Sequence, residues 1–139
     1  MLALVVAVLM GWLLVGLGDS VRRYQGFRRT RGTIETVMRA MAAYGRVEGH
    51  WPAGEGDGPS TTRLLRHLAN SPASAELLRG LGPDAIASGP DGDVLFDGFG
   101  RRMLYQHRDD GGDRPMLKSA GMDPADRSDD LCIPLPWDE

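Results

Sequence analysis

Residues 1–18, MLALVVAVLMGWLLVGLG, carry no charged side chain and place leucine or valine on every face of a helix. A helix that is apolar all round needs burial on all sides, in a core or in a membrane. The chain has 139 residues, room for one small domain beside such a helix. That domain has only a modest core to offer. At 1.5 Å per residue the run spans roughly 27 Å, near the lower limit for a membrane span of about 20 residues. Asp19 ends it abruptly. The expectation is a membrane-spanning helix. A cleaved signal peptide is the rival: Gly16-Leu17-Gly18 supplies small residues at a suitable spacing, although no basic segment precedes the apolar run.

Five arginines follow, Arg22, Arg23, Arg28, Arg29 and Arg31, with no acid among them. From Arg108 to the end there are nine acids against four bases. Such a split suits a membrane-proximal basic collar and an acidic distal face, and not nucleic-acid binding, which needs a basic surface throughout the contact. The arginines could pair with lipid phosphates or form a solvated flank. Their position after the apolar run would by itself place the rest of the chain in the cytoplasm. The single cysteine, Cys132, excludes an intrachain disulfide and suits a small buried hydrophobe.

The segment 19–48 is first basic, then amphipathic. Gly26 and Gly32 each weaken a helix by about 1 kcal/mol relative to alanine, so a kink or looser stretch is expected there. Ile34, Val37, Met38, Met41 and Tyr44 then fall on one stripe at helical spacing, which predicts packing against a head. Gly45 and Gly49 end the helix. The head is 49–139. It begins with a Gly/Pro loop, His50 to Ser60. Ser60 offers an N-cap for a helix over Thr61–Leu68. Ser71-Pro72 opens a second, carrying Leu77 and Leu78 and stopping at Gly80 or Gly82. Gly89-Pro90-Asp91-Gly92-Asp93 is a turn. Val94–Phe96 is a short apolar run, and the three strands of a sheet are expected at Arg102–His107, Pro115–Ala120 and Leu131–Ile133. The sum is an α+β chain: a long N-terminal helix on a small head with short helices and a three-stranded antiparallel sheet.

Catalytic signatures are missing from the sequence. His50, His67 and His107 have no metal-ligand spacing, and there is no nucleophile elbow, Walker loop or dinucleotide loop. No enzymatic activity and no small-molecule substrate are expected. Asp123, Asp126, Asp129 and Asp130 put four carboxylates within eight residues, which calls for solvation or a bridging cation. The spacing is not that of an EF-hand, and from the residues alone a solvated acidic turn is the favoured reading. Asp91, Asp93 and Asp97 form a second acidic group, read as turn chemistry plus solvation.

The ordered motifs resemble a family. Tyr44 followed by Gly49-His50-Trp51-Pro52, the Thr61-Thr62 cap before Leu64, Leu65 and Leu68, and Asp97-Gly98-Phe99-Gly100 before Arg101–Tyr105 come in the order seen in type IV pilin-like proteins. So do Leu117-Lys118-Ser119-Ala120-Gly121-Met122-Asp123 and Asp129-Asp130-Leu131. The set is most similar to the major pseudopilin of type II secretion systems. Phe99 stands where that family has tryptophan, and Gly98 where it has proline. The family's basic leader, cleavage glycine and early glutamate are not seen, which leads to the expectation that the true start lies upstream of Met1.

The resemblance implies a pilin-like fold and a structural subunit of a pseudopilus or pilus-like filament serving protein secretion. It implies a single-pass protein of the bacterial inner membrane with its head in the periplasm, in conflict with the side that the arginines after the apolar run would choose by themselves. The implied partners are other copies, minor pilin-like subunits and the membrane itself. It further implies calcium in the 121–130 loop, with Asp123, Asp129 and Asp130 as side-chain ligands and backbone carbonyls near Leu117 and Ser119. The alternative is an anchored accessory domain that does not polymerise.

Overall fold

The computed structural model describes residues 2–52, 61–107, 115–123 and 130–134, with the backbone alone for 2–11, 13–17, 19 and 132–134. It is an α+β chain dominated by one helix, α1, Leu2–Glu48. Two short helices follow, α2 (Thr62–Asn70) and α3 (Pro72–Leu78). Then come five strands: β1 (Ile86–Gly89), β2 (Gly92–Leu95), β3 (Leu104–Gln106), β4 (Met116–Ser119) and β5 (Leu131–Pro134).

Helix α1 runs through Gly26 and Gly32 without interruption, so the break expected at these glycines does not occur. It ends at Glu48, where Gly49 takes a left-handed φ of 74° and its N–H bonds the Gly45 carbonyl at 2.9 Å. Only a residue without Cβ adopts that conformation at no steric cost.

The two halves of α1 differ in what covers them. Ile34, Val37, Met38, Met41 and Tyr44 are all buried, as their spacing predicts. They form one core with Leu64, Leu65 and Leu68 of α2, Leu95, Met103, Tyr105 and Leu117. Ala40 is fully buried as well, and its carbonyl accepts a bond from the Ser74 hydroxyl at 2.9 Å. The small side chain lets α3 cross α1 closely at that point. Among the described side chains before Gly26 no such cover is seen. Residues 20–25 are exposed, and Trp12 is 78% exposed.

The strands sort into two sheets where the sequence suggested one. β1 and β2 make an antiparallel hairpin, Ile86 opposite Leu95 and Gly89 opposite Gly92. Gly92, with φ 122°, turns the chain between them. The β1 strand was not foreseen, because IASG has only one strongly apolar residue. β3, β4 and β5 form a second antiparallel sheet in that order. Leu117 faces Tyr105 on one side and Ile133 on the other. A bridge between Phe96 and Arg102 links the two sheets across the intervening turn.

Thr61, and not Ser60, is the residue preceding α2, and it makes no side-chain cap. Its hydroxyl instead accepts the Leu95 N–H at 2.8 Å, which ties the start of α2 to β2.

Tyr44 sits at the top of the core with the rings of His50 and His67 edge-on at 5.8 and 6.2 Å. Burial raises its phenol above the ordinary value of 10.0, and the Glu48 carboxylate one turn on raises it further. The folded chain therefore favours the neutral phenol. That contribution is fully present below pH 10 and is lost as pH climbs through the raised value. Denaturation midpoints followed through the alkaline range should fall, and Tyr44→Phe should remove the tyrosine component of the fall.

Candidate functional site

The most connected polar site of the described residues lies where the head grips α1. The turn Asp97-Gly98-Phe99-Gly100 lies against the helix at Gly26–Thr30. Asp97 is 3% exposed. Its Oδ1 accepts the backbone N–H groups of Phe99 and Arg101, both at 2.9 Å. Its Oδ2 accepts the Ser119 hydroxyl at 2.6 Å, and Ser119 Oγ accepts the Gly121 N–H at 3.2 Å. One carboxylate thus fixes its own turn and fastens that turn to the end of β4. The backbone closes the turn again, through the Asp97 N–H to Arg101 and the Gly100 N–H to Asp97.

The turn is held on the helix by a second chain of bonds. The Gly98 N–H donates to Thr30 Oγ1 at 2.9 Å, and that hydroxyl donates to the Gly26 carbonyl at 2.9 Å. Thr30 is 1% exposed. The Phe99 ring lies over Gly26 and meets Phe27 edge-on with centroids 5.2 Å apart. A Cβ on Gly98 would come within 2.2 Å of the Gly26 carbonyl oxygen. A Cβ on Gly26 would come within 2.2 Å of the Phe99 ring. Two glycines, one on each side, permit the contact.

These bonds revise the reading of Asp97. The sequence groups it with Asp91 and Asp93 as a solvated turn residue. Asp91 and Asp93 are exposed, but Asp97 is buried and carries three bonds. The signal was present in the sequence: an aspartate followed by glycine accepts N–H groups two and four residues on when a turn closes. What the sequence lacked was the partner Ser119, 22 residues away.

The residues proposed for a cation are only partly brought together. Leu117 and Ser119 are fully buried on β4, and the Ser119 side chain is engaged by Asp97. Asp130 is half-buried, and its Oδ2 lies 2.7 Å from Lys118 Nζ. Asp123 is exposed. Asp126 and Asp129 lie outside the described residues. Among the described residues no three His, Cys, Asp or Glu side chains group as a metal site. Lys118 already supplies a positive charge where a cation would need Asp130. Cys132 opposes Lys118 in the β4–β5 ladder, and its side chain lies outside the described residues.

A furrow of about 610 Å³ follows the seam between α1 and the head, lined among others by Arg29, Thr33, Thr36, Leu81 and Phe96. It carries no nucleophile–base pair. Among the described residues no helix is long and apolar enough to cross a membrane. Most side chains of the run 1–18 fall outside that description.

Comparison of the chain with protein-family models, with curated proteins and with solved structures finds no match.

Proposed function

We propose that this chain is a membrane-anchored structural subunit of a pilin-like filament, of the kind formed by major pseudopilins in protein secretion. Its work is assembly, not catalysis. The observation that supports this reading is the division of α1. In one continuous 47-residue helix the head packs on the segment from Gly26 onward, whereas the side chains described before it, Trp12 and residues 20–25, are exposed. The stretch before it opens with the uncharged apolar run 1–18, in which Trp12 is exposed. A helix of that length gains nothing for a lone head of this size. It becomes useful when the uncovered half is buried, first among lipids and then among equivalent helices of other copies. Contacts of one surface with a different surface of the next copy do not close, and they propagate as a filament.

In this reading the apolar half anchors the chain in the bacterial inner membrane and the head stands in the periplasm. Partners are further copies and minor subunits of the same build. The rival, an anchored accessory domain, shares the helix and the head but makes no repeating contact. Disulfide trapping between copies through the uncovered half of α1 separates the two. The stripe Ile34–Tyr44 is unsuited to that test, because the head buries it.

Calcium in the 121–130 loop belongs to the same proposal and rests on the resemblance alone. If the loop binds it, millimolar calcium should raise the thermal midpoint relative to chelator, by about 2.7 kcal/mol of stability at 100 times Kd. An unchanged midpoint removes calcium from the account and leaves the anchor and filament untouched.

A further inference from the structure

The head contributes to the basic collar. Arg22, Arg23, Arg28, Arg29 and Arg31 are all exposed on α1, and Glu35 pairs with Arg31. At about 100° per residue they fall on several faces of the helix, not on one. An arginine stripe suits a helix lying flat on a bilayer; a ring suits one standing upright through its surface. The turn 97–100 meets α1 at Gly26–Thr30, inside this ring. The two residues that follow the turn are Arg101, half-buried, and Arg102, exposed. The fold therefore adds two arginines to five, although 70 residues of chain separate the groups. The carboxylate nearest to them in sequence, Asp97, is buried and bonded inside the turn.

The heights agree with a membrane surface. At 1.5 Å per residue Arg22 lies about 6 Å beyond Gly18, and Arg31 about 20 Å beyond. The interfacial layer on one side of a bilayer is about 5–8 Å thick. Arg22 and Arg23 fall within it. Arg28, Arg29 and Arg31 stand above it, the first two within about one screening length once side-chain reach is counted, and Arg101 and Arg102 follow a turn seated on the helix at the level of Gly26–Thr30. Exposed Tyr24 lies between the two tiers, exposed Val21 directly before the first, and exposed Trp12 within the run itself.

We propose that this seven-arginine belt is a binding surface for anionic phospholipid, and that it holds the base of the head against the negatively charged leaflet. The proposal rests on the anchor reading above, but not on polymerisation.

The test uses the full chain reconstituted in phosphatidylcholine vesicles, with spin-labelled phosphatidylglycerol or phosphatidylcholine reporting the lipids in contact with it. At about 50 mM salt the chain should select the anionic lipid by at least about fivefold, the factor one well-placed arginine is worth at such a surface. The variant R22Q/R23Q/R101Q/R102Q should lose most of that preference. Raising salt to about 500 mM should do the same to the unmodified chain, independently of any effect of the substitutions on folding. A chain that floats with the vesicles after alkaline wash but shows no preference overturns the lipid surface and leaves the anchor intact. A preference unchanged in the variant overturns it also. So does a variant that keeps its lipid preference but no longer self-associates, which would give the arginines to a second copy. A chain that does not enter the vesicles overturns the anchor and this proposal together.

Discussion

Asp97→Ala should lower the unfolding free energy of the head by about 3–5 kcal/mol, a loss of the size reserved for buried polar networks. The carboxylate accepts two backbone N–H groups and one hydroxyl in a site that is 3% exposed. Alanine leaves all three donors without their acceptor. Each unsatisfied buried donor costs about 1–3 kcal/mol, and partial access of water at the half-buried Phe99 and Arg101 reduces the sum. Asp97→Asn keeps the shape and the Oδ1 acceptor. Its amide can donate to Ser119 Oγ, so the expected loss is smaller, about 1–2 kcal/mol for the charge-assisted part. The urea midpoint measures both, with the slope unchanged if the unfolded state is unaffected. If the sequence reading of Asp97 as a solvated turn residue were right, both variants would fall within about 0.5 kcal/mol of the parent.

The second large effect concerns glycines that look alike in the sequence and differ in the fold. Gly98→Ala places a Cβ 2.2 Å from the Gly26 carbonyl oxygen and 2.8 Å from Arg29 Cβ. Helix backbone does not yield, so the turn must lift away and lose the Gly98–Thr30 bond. The expected cost is about 3 kcal/mol, at the upper end of overpacking. Gly26→Ala meets the Phe99 ring instead, which can swing out; part of its cost is repaid by better helix propensity, about 1 kcal/mol. Gly32→Ala meets nothing within 4 Å and should stabilise the chain by about that amount. Chemical denaturation of the three variants gives the order Gly32→Ala above the parent, Gly26→Ala below it, and Gly98→Ala lowest. A uniform rise would mean that the turn does not touch the helix.

Both effects bear on how much of the molecule its sequence reveals. The stripe from Ile34 to Tyr44 was legible because a helix of fixed period leaves its core face as a spacing. The short helices and the strands at β2 to β5 were legible because glycine, proline and alternation punctuate them. The boundary glycine, Gly49, was legible for the same reason. Gly26 was not, since its helix-weakening tendency hides a packing requirement that only Phe99, more than 70 residues on, explains. The burial of Asp97 is not legible in the sequence because burial is a tertiary property, and three aspartates close in sequence need not share an environment. Strand β1 was missed because its four residues take their conformation from pairing with β2, not from their own composition. Arg101 and Arg102 joined the collar only through the fold.

The resemblance of the motifs to pilin-like proteins and the physical reading of the helix meet at one point. Under the proposed function, both would give the N-terminal half of α1 a partner outside its own chain. The head grips the second half through Phe99, Thr30 and the buried Asp97. In a filament, such a grip would let contacts along the apolar half set the position of each head.

Disulfide trapping in membranes tests this most directly. The chain carries Trp12→Cys and Val21→Cys, both at exposed positions of α1, in a Cys132→Ser background. Two different contact positions per copy permit chains of crosslinks, whereas either cysteine alone permits a pair at most. The account predicts a ladder of dimer, trimer, tetramer and longer species from the double variant on a non-reducing gel, and nothing beyond dimer from each single variant. Monomer alone from the double variant, with the chain still in the membrane fraction, would contradict the filament and leave the accessory-domain reading.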